Sequence, residues 1–279
     1  MGILRQIKRF FNTPYSGLPP ISDASRLDAV IQHHRKVLEQ VPNWLDAEAM
    51  KASCFQYGVP QHNQGFINAP LSKTPTYSDY IAYFSAQLNA PINYLEIGVS
   101  VGKNFFQMLH SFDNASLTGF EIEDMNPPLR AILDVKSSET WVKKPDSIKK
   151  SNPTLSQFSF DKKGHKITYL CADVFDEASW ERLAGRKFNV LFSDAFHDAA
   201  SLFYEYKMMQ KYDLIADNFM FFWDDLHFDM EDAFVEIAQD LGKKRGFGRE
   251  GIHIFKTSGW IGDNEPPHPI GLATNISIK

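Results

Sequence analysis

The sequence predicts an α/β fold, a doubly wound and mostly parallel β-sheet preceded by a helical N-terminal extension. Two features of the chain lead to this prediction. From residue 93 onward, short apolar runs alternate with amphipathic segments of helical periodicity. The runs are apolar on both of their sides, as in strands that are buried on both faces of a sheet. Strands of this kind, alternating with helices, indicate a parallel sheet that is covered by helices.

The predicted strands and helices follow from these runs and periodicities. The strands are Asn93–Ile97, Ser116–Ile122, Ile167–Cys171, Asn189–Ser193, Phe219–Trp223 and Ile252–Lys256, with Ile270–Ile278 as a candidate partner for the last of them. The helices between them are Asn104–His110, Ala199–Tyr212 and Asp229–Leu241. The segment 124–166 is too long for one crossover helix, so we predict an insertion there, with a short helix near Leu129–Val135.

Residues 1–90 are predicted to form the helical extension, and residues 91–279 the sheet domain. The extension contains two predicted helices and one irregular loop, at Ser25–Gln40, Ser78–Leu88 and Pro60–Pro75. Its first twelve residues have apolar side chains at helical spacing, with basic side chains opposite them. This segment is either a helix on an anionic membrane surface or a helix that docks on the body or on a second subunit.

Composition restricts the partners and the location of the protein. The net charge is −5 and the pI about 6.0, so there is no global basic field for nucleic acid. No apolar run approaches the ~18–20 residues of a membrane helix, and no signal peptide is recognisable. Cys54 and Cys171 form no CxxC motif and are expected to be free thiols. We therefore expect a cytoplasmic protein that binds a small molecule, without integral membrane association, and a homo-oligomer is an open alternative.

A glycine-rich turn joins the first predicted strand to the helix that follows. Gly98 and Gly102 permit a tight turn and let a ligand approach the backbone closely, with Ser100 between them. Free N–H groups at the start of the helix suit an anionic group such as a carboxylate. Glu96, at the carboxyl end of the strand, can reach a ligand amine. The G-x-G-x-x-G pattern of dinucleotide-binding proteins does not fit, because position 96 is Glu and position 101 is Val.

Acidic residues also end the next two predicted strands. The second strand ends with Glu121 and Glu123, and the third is followed by Asp173 and Val174. Sheets of this type bind ligands outside the carboxyl ends of their strands. Acids at the ends of three successive strands therefore indicate a binding site rather than three unrelated helix caps.

This order of motifs resembles that of the class I S-adenosylmethionine-dependent methyltransferases, which have a Rossmann-like sheet. The resemblance rests on Glu96-x-Gly98-x-x-x-Gly102 and on the acids that follow the next two strands. It implies that S-adenosylmethionine is the cofactor and that its carboxylate end lies at the glycine turn. It further implies that Glu121, or alternatively Glu123, binds the ribose hydroxyls, and that Asp173 and Val174 lie at the adenine.

The fourth and fifth predicted strands end in a second group of acids. Asp194 follows the fourth strand, and Asp224 and Asp225 follow the fifth. Neighbouring strands would bring these carboxylates into one pocket, where a hard divalent ion such as Mg²⁺ would relieve their repulsion. Both residues of the Asp pair can converge only if the chain bends after the strand, because successive strand residues point to opposite faces. The alternative is capping and loop hydrogen bonding without a metal.

Two histidines lie close to these acids. His197 and His227 are candidate general bases, because histidine can take a proton from a substrate hydroxyl near neutral pH. If the next helix starts early, His197 lies about one turn into it, with its ring over the pocket of the acids. Asp217-Asn218 is a competing metal candidate, which we interpret as the turn before the fifth strand.

The acid pattern resembles the metal-dependent small-molecule O-methyltransferases of the macrocin type. That resemblance implies methyl transfer to an oxygen, assisted by a divalent metal that orients the substrate. N-methylation and a peptide substrate stay open. Two alternatives from other classes are a metal-dependent oxidising enzyme on the same scaffold and a non-catalytic binding module that docks through the N-terminal helix.

Overall fold

The computed structural model describes residues 17–45, 50–51, 53, 56–134, 154–160 and 164–279, and it describes 154–160 by its backbone alone. The amphipathic segment at the N-terminus, Cys54 and most of the predicted insertion lie outside these residues. Their predictions are therefore not addressed by the structure.

An eight-stranded sheet forms the centre of the protein. Its strands are β1 Asn93–Ile97, β2 Ser116–Glu121, β3 Thr154–Phe160, β4 His165–Cys171, β5 Phe188–Ser193, β6 Ile215–Trp223, β7 Ile252–Thr257 and β8 His268–Thr274. They are arranged in the order β3-β4-β2-β1-β5-β6-β8-β7. Neighbours from β4 to β6 pair in parallel, whereas β3 and β8 are antiparallel to their neighbours. The predicted doubly wound, mostly parallel sheet is confirmed.

The strand order determines where a ligand can bind. The chain moves outward from β1 to β2 and β4, and then returns to form β5 on the other side of β1. Without β3 and the inserted antiparallel β8, this is the 3-2-1-4-5-6 order of doubly wound sheets. In such sheets the crevice for ligands opens outside the carboxyl ends of the strands, where the order reverses. That point is the edge between β1 and β5.

Seven α-helices have both ends within the described residues, and the longer ones pack on the two faces of the sheet. They are α1 Ala24–Leu38, α2 Tyr77–Ser85, α3 Lys103–Ser111, α4 Pro127–Ile132, α5 Glu177–Glu181, α6 Ala199–Lys211 and α7 Asp229–Arg245. Helices α1 to α3 share one hydrophobic core with the sheet, and α5 to α7 share the other. Tyr94 of β1 points into the first core and its neighbour Leu95 into the second, so both faces of the strand are buried.

Local sequence signals explain the helix boundaries. Asp176 and Asp198 are the N-caps of α5 and α6, and each accepts a hydrogen bond from a backbone N–H of the first turn. Helix α7 has acidic residues in its first turn and basic residues in its last, which complements the helix dipole. It ends at Gly246, whose φ of 77° is the left-handed conformation that glycine adopts readily.

Two features of the sheet differ from the sequence prediction. Asp217 and Asn218 lie inside β6, so the predicted turn there is wrong. Both side chains are exposed, because the pairing of β5 with β6 shifts register at this point, and Asp217 forms an ion pair with Arg245 at 3.2 Å. The edge strand β3 was not predicted at all, since its apolar residues follow no regular alternation.

The extension packs directly on the sheet domain. Apolar residues of α1 and α2 belong to the same core as Tyr94 and Phe192 of the sheet. The division at residue 90 stays a prediction. Across the described stretches of the chain, no helix is both long and apolar enough to cross a membrane.

Candidate functional site

A cavity of about 640 Å³ lies at the carboxyl edge of the sheet, where β1 and β5 meet. It is lined by most of the site residues predicted from the sequence, namely Gly98, Ser100, Glu121, Asp173, Val174, Asp194, His197, Asp224 and Asp225. Its described lining does not include Glu96, Gly102 or His227. The structure therefore brings the predicted cofactor group and the predicted metal group together in one cavity.

The glycine turn after β1 is required by packing inside the protein. Gly98 and Gly102 have φ angles of 84° and 91°, which side chains rarely allow. A Cβ atom at Gly98 would collide with the backbone carbonyl of Asp194, and one at Gly102 would collide with Leu129. Only Gly98 lines the cavity, so close approach of a ligand does not explain the glycine at position 102.

Glu96 is buried beneath the turn rather than in the cavity. Its Oε2 accepts hydrogen bonds from the Tyr94 hydroxyl at 2.7 Å and from the Asn104 amide at 2.9 Å. Burial raises the pKa of Glu96 well above the usual range. In this arrangement the side chain stabilises the connection between β1 and α3, and its assignment to a ligand amine stays a prediction.

The structure distinguishes between the two acids at the end of β2. Glu121 lines the cavity and accepts a hydrogen bond from the backbone N–H of Ser100 at 2.8 Å. Glu123 instead accepts hydrogen bonds from the Ser53 hydroxyl and from the backbone N–H of Tyr57, the latter at 2.7 Å. Glu121 is therefore the acid that faces the cavity.

A segment of the extension covers this half of the cavity, which the sequence analysis did not foresee. Tyr57, Gly58, Pro60 and Asn63 line the cavity. The Ser100 hydroxyl donates to the carbonyl of Tyr57 at 2.7 Å, which joins the segment to the glycine turn. These residues carry no recognisable motif, so only their position in the fold identifies them.

Aromatic side chains surround the opening next to Asp173 and Val174. Phe175 and Phe196 line the cavity, and their ring centroids are 5.5 Å apart in an edge-to-face contact. Phe196 is 54% exposed, which is unusual for a large apolar side chain. Asp173 itself accepts a hydrogen bond from the backbone N–H of Phe175 at 3.0 Å.

His197 connects two of the acids on the opposite side of the cavity. Its Nε2 is 3.1 Å from Asp194 Oδ1, and its Nδ1 is 3.0 Å from Asp225 Oδ2. Burial by itself would lower the pKa of His197, but the two carboxylates outweigh burial and raise the pKa to about 11. The ring is therefore protonated on both nitrogens, and so positively charged, at neutral pH. His197 lies in the loop before α6, which starts only at Ala199, so the early helix start that would place it one turn inside the helix does not occur.

His268 completes a second group of polar side chains and was missed from the sequence. Its Nε2 is 2.8 Å from Asp224 Oδ1, and its Nδ1 is 3.9 Å from Asp225 Oδ1. Asp225 has a φ of 51°, which is the bend after β6 that allows both residues of the Asp pair to face one place. Asp224, Asp225 and His268 offer ligand atoms that all lie within 4.8 Å of one another.

The remaining neighbours of the acid–histidine cluster differ in burial. The hydroxyl of buried Tyr77 donates to Asp194 Oδ2 at 3.3 Å. His227 is half exposed, and its Nε2 is 3.4 Å from Asp225 Oδ1. Of the two predicted general bases, only His197 therefore reaches the cavity.

Comparison with known proteins yields no family model and no curated protein that matches this chain. Among solved structures, a candidate O-methyltransferase from Klebsiella pneumoniae is 14% identical, with a TM-score of 0.42, over 97% of this chain and 94% of that one. A candidate caffeoyl-CoA O-methyltransferase from Staphylococcus aureus is also 14% identical, with a TM-score of 0.44, over 79% and 94%. A methyltransferase from Podospora anserina bound to SAH is 12% identical, with a TM-score of 0.42, over 93% and 99%. Likeness at this level carries no conclusion about activity.

Proposed function

We propose that the protein is an S-adenosylmethionine-dependent methyltransferase that acts on an oxygen of a small molecule. The observation that carries this proposal is the single cavity that joins two chemically different halves. One half is built from the ends of β1, β2 and β4, with Gly98, Glu121 and Asp173. The other half is built from acids and histidines at the ends of β5 and β6 and the start of β8. A transferase needs this adjacency, because the methyl donor and the acceptor oxygen must meet in line.

The first half has the donor and acceptor groups that the cofactor requires. Glu121 Oε2 accepts from the backbone N–H of Ser100, and Oε1 accepts from the backbone N–H groups of Ile122 and Glu123. The lone pair that is left on Oε2 is assigned to a ribose hydroxyl. Asp173 is assigned to the adenine amino group, with Val174 beside the ring. Gly98 and Ser100 are assigned to the methionine end of the cofactor. A volume of about 640 Å³ lies within the usual range for small-ligand sites.

The second half is assigned to the acceptor. Both ring nitrogens of protonated His197 face carboxylates, Nε2 that of Asp194 and Nδ1 that of Asp225, so in this arrangement the ring neither accepts a proton nor has a free N–H for the acceptor. His197 can act as a base only when Asp194 and Asp225 bind other groups and no longer stabilise its protonated form. The acids predicted to hold a divalent ion are Asp194, Asp224 and Asp225, and a bound ion would lower the pKa of an acceptor hydroxyl.

Calorimetry tests the proposal most directly. The folded protein should bind both S-adenosylmethionine and its demethylated product, and Glu121→Gln should weaken both, because the amide loses one acceptor position. Glu236→Gln, on an exposed position of α7, removes the same charge and should leave binding unchanged. Failure of the folded wild-type protein to bind either compound would contradict the proposal. Metabolite screening, with the demethylated cofactor as the readout, would then identify the acceptor.

A further inference from the structure

The geometry points to a divalent ion site formed by Asp224, Asp225 and His268, whose mixed donor set favours a first-row transition ion over Mg²⁺. This inference deepens the metal part of the proposed function and rests on it for the role of the ion in catalysis. It replaces the three-carboxylate site expected from the sequence with a site of two carboxylates and one imidazole. In this site Asp194 is not a ligand of the ion.

Contacts already present in the protein separate the two candidate sites. The ring of His197 lies between Asp194 and Asp225, with its nitrogens 3.1 and 3.0 Å from their oxygens. An ion that joined those two carboxylates would have to displace the ring, and Asp194 also accepts a hydrogen bond from Tyr77. We therefore assign Asp194 to positioning His197, outside the ligand set.

At the second candidate site no third side chain lies between the ligands: an ion would take the place of the proton in the hydrogen bond between His268 Nε2 and Asp224 Oδ1. The ligand atoms of Asp224, Asp225 and His268 lie within 4.8 Å of one another. Two of them, Asp224 Oδ1 and His268 Nε2, are hydrogen-bonded at 2.8 Å, so a small outward shift of the two side chains would bring both to the ~2.0–2.2 Å that oxygen and nitrogen ligands keep from Zn²⁺. All three residues also line the cavity, so positions on the ion that the protein does not fill would face a substrate.

Rigid elements hold these three side chains in place. Asp224 directly follows β6, and His268 begins β8, which pairs with β6 in antiparallel register. The backbone N–H of Leu226 donates to the carbonyl of Pro269 at 2.9 Å, which holds the loop after Asp225 against the start of β8. Asp224 is 5% and His268 8% exposed, so their rings and carboxylates have little freedom to move away.

The chemistry of the donors determines which ion fits. Mg²⁺ is bound by oxygen ligands in near-octahedral geometry and gives up its water reluctantly. Imidazole nitrogen suits Zn²⁺, Ni²⁺ and similar ions, and affinity for such mixed sites generally rises along the first transition row from Mn²⁺ to Cu²⁺. A buried imidazole in the ligand set therefore disfavours Mg²⁺ relative to Co²⁺ or Zn²⁺. The competing explanation is that protonated His268 simply neutralises Asp224 and that no ion binds.

To test the inference, the metal-free protein is titrated with CoCl₂ while its visible absorption is recorded. A separate sample is titrated with MgCl₂ in a calorimeter. We expect Co²⁺ to bind more tightly than Mg²⁺ and to give ligand-field bands. His268→Asn should weaken Co²⁺ binding by at least roughly 10–100-fold, the loss seen when even an outer partner of a ligand is removed. His253→Asn, on β7 of the same hairpin, is the matched control and should leave Co²⁺ binding unchanged.

Further variants keep the test decisive if His268→Asn does not fold. Asp225→Asn, at a less buried position, should also weaken Co²⁺ binding, whereas Asp194→Asn should weaken it less. Mg²⁺ binding at least as tight as Co²⁺ binding, Co²⁺ affinity unchanged in both His268→Asn and Asp225→Asn, or no ion bound by the folded protein would each overturn the inference. Cofactor calorimetry on the same samples shows separately whether the proposed methyltransferase function fails.

Discussion

Gly98 illustrates how a single backbone position supports the whole site. Its φ of 84° is strained for any residue with a side chain, and a Cβ atom there would also collide with the carbonyl of Asp194. The turn after β1 and the loop after β5 are thereby in direct contact. Since both line the cavity, an error at this contact would distort the cofactor half and the acceptor half together.

We expect Gly98→Ala to destabilise the protein more than strain alone would. Gly185→Ala is the matched control, because Gly185 has a similar φ of 81° but open space where its Cβ would lie. Gly185→Ala should lower the free energy of unfolding by ~1–2 kcal/mol, because alanine is strained in the left-handed conformation. Gly98→Ala should lower it by a further ~1–3 kcal/mol, because its Cβ atom is also overpacked. Denaturant unfolding measures both. Equal losses in the two variants would mean that the contact with Asp194 is unimportant.

Glu205 is a buried acid that lies behind the cavity, and its environment makes stability depend on pH. Its Oε2 accepts a hydrogen bond from Ser193 at 2.6 Å, while its Oε1 has no partner in the described part of the chain. Burial raises the pKa of Glu205 from about 4.5 to about 7. The folded protein thus holds this proton more tightly than the unfolded chain does. The contribution to stability is complete below pH ~4.5 and is lost as the pH rises through 7.

Glu205→Gln should therefore stabilise the protein at alkaline pH and have little effect near pH 4.5. A pKa difference of this size corresponds to ~3 kcal/mol above pH 7. Unfolding curves from pH 5 to pH 8.5 provide the measurement, with Glu236→Gln on the exposed face of α7 as the control. If both variants show the pH dependence of the wild-type protein, the carboxyl of Glu205 is not the titrating group.

At the scale of elements, Asp79 connects two helices of the extension. It accepts hydrogen bonds from Arg35 Nη2 at 2.8 Å and from the backbone N–H of Thr76 at 2.7 Å, and its Oδ1 is 2.7 Å from His34 Nδ1. His34 also contacts the hydroxyl of Ser111, in the order of a Ser-His-Asp triad. Ser111 ends α3, where a helix presents carbonyl groups rather than N–H groups, and its hydroxyl donates to the carbonyl of Gln107 at 2.8 Å, so it is held by the helix itself. We therefore interpret the Asp79, His34 and Ser111 side chains as a structural hydrogen-bonded group.

Removing Asp79 should loosen the contact of α1 with α2. Asp79→Ala leaves Arg35 and His34 without their buried acceptor, and the expected loss of stability is ~3–5 kcal/mol. Asp28→Ala, on the exposed side of α1, is the control and should change stability by less than ~0.5 kcal/mol. Hydrogen exchange in α1 and α2 should increase in the Asp79 variant. Exchange and stability equal to those of the control would contradict the assignment.

How far the elements could be predicted depends on the strength of their patterns. Strands buried on both faces and long amphipathic helices are evident in the sequence, and their predicted positions agree closely with the structure. The edge strand β3 carries no such pattern. His268 lies outside the predicted group for a topological reason: the prediction rests on the carboxyl ends of parallel strands, whereas antiparallel β8 presents its first residue at that edge. The choice between Glu121 and Glu123 likewise depended on a covering segment that has no motif.

At the scale of the whole molecule, the reversal of strand order divides the cavity into two halves that should act independently. The ends of β2 and β4 carry Glu121 and Asp173, and the ends of β5 and β6 carry Asp194 and the Asp pair. The two groups come from opposite sides of β1, and the halves meet through backbone at Gly98 and through the rings of Phe175 and Phe196, without an ion pair between their acids in the described part of the chain. Side-chain substitutions in one half should therefore leave the other intact.

Two amide substitutions test this independence, because they keep side-chain shape and remove charge. Asp173→Asn should weaken binding of the demethylated cofactor, since its amide can no longer accept as a carboxylate does, while turnover at saturating cofactor stays close to that of the wild-type protein. Asp194→Asn should leave cofactor affinity unchanged but lower turnover by roughly 100-fold, the usual contribution of positioned acid–base groups. Its carboxylate contacts both Tyr77 and His197, so in the variant His197 would keep only Asp225 as a charged partner. Calorimetry and steady-state kinetics separate the two effects. Equal losses of cofactor affinity in the two variants would mean that the halves are coupled and that the cavity acts as one unit.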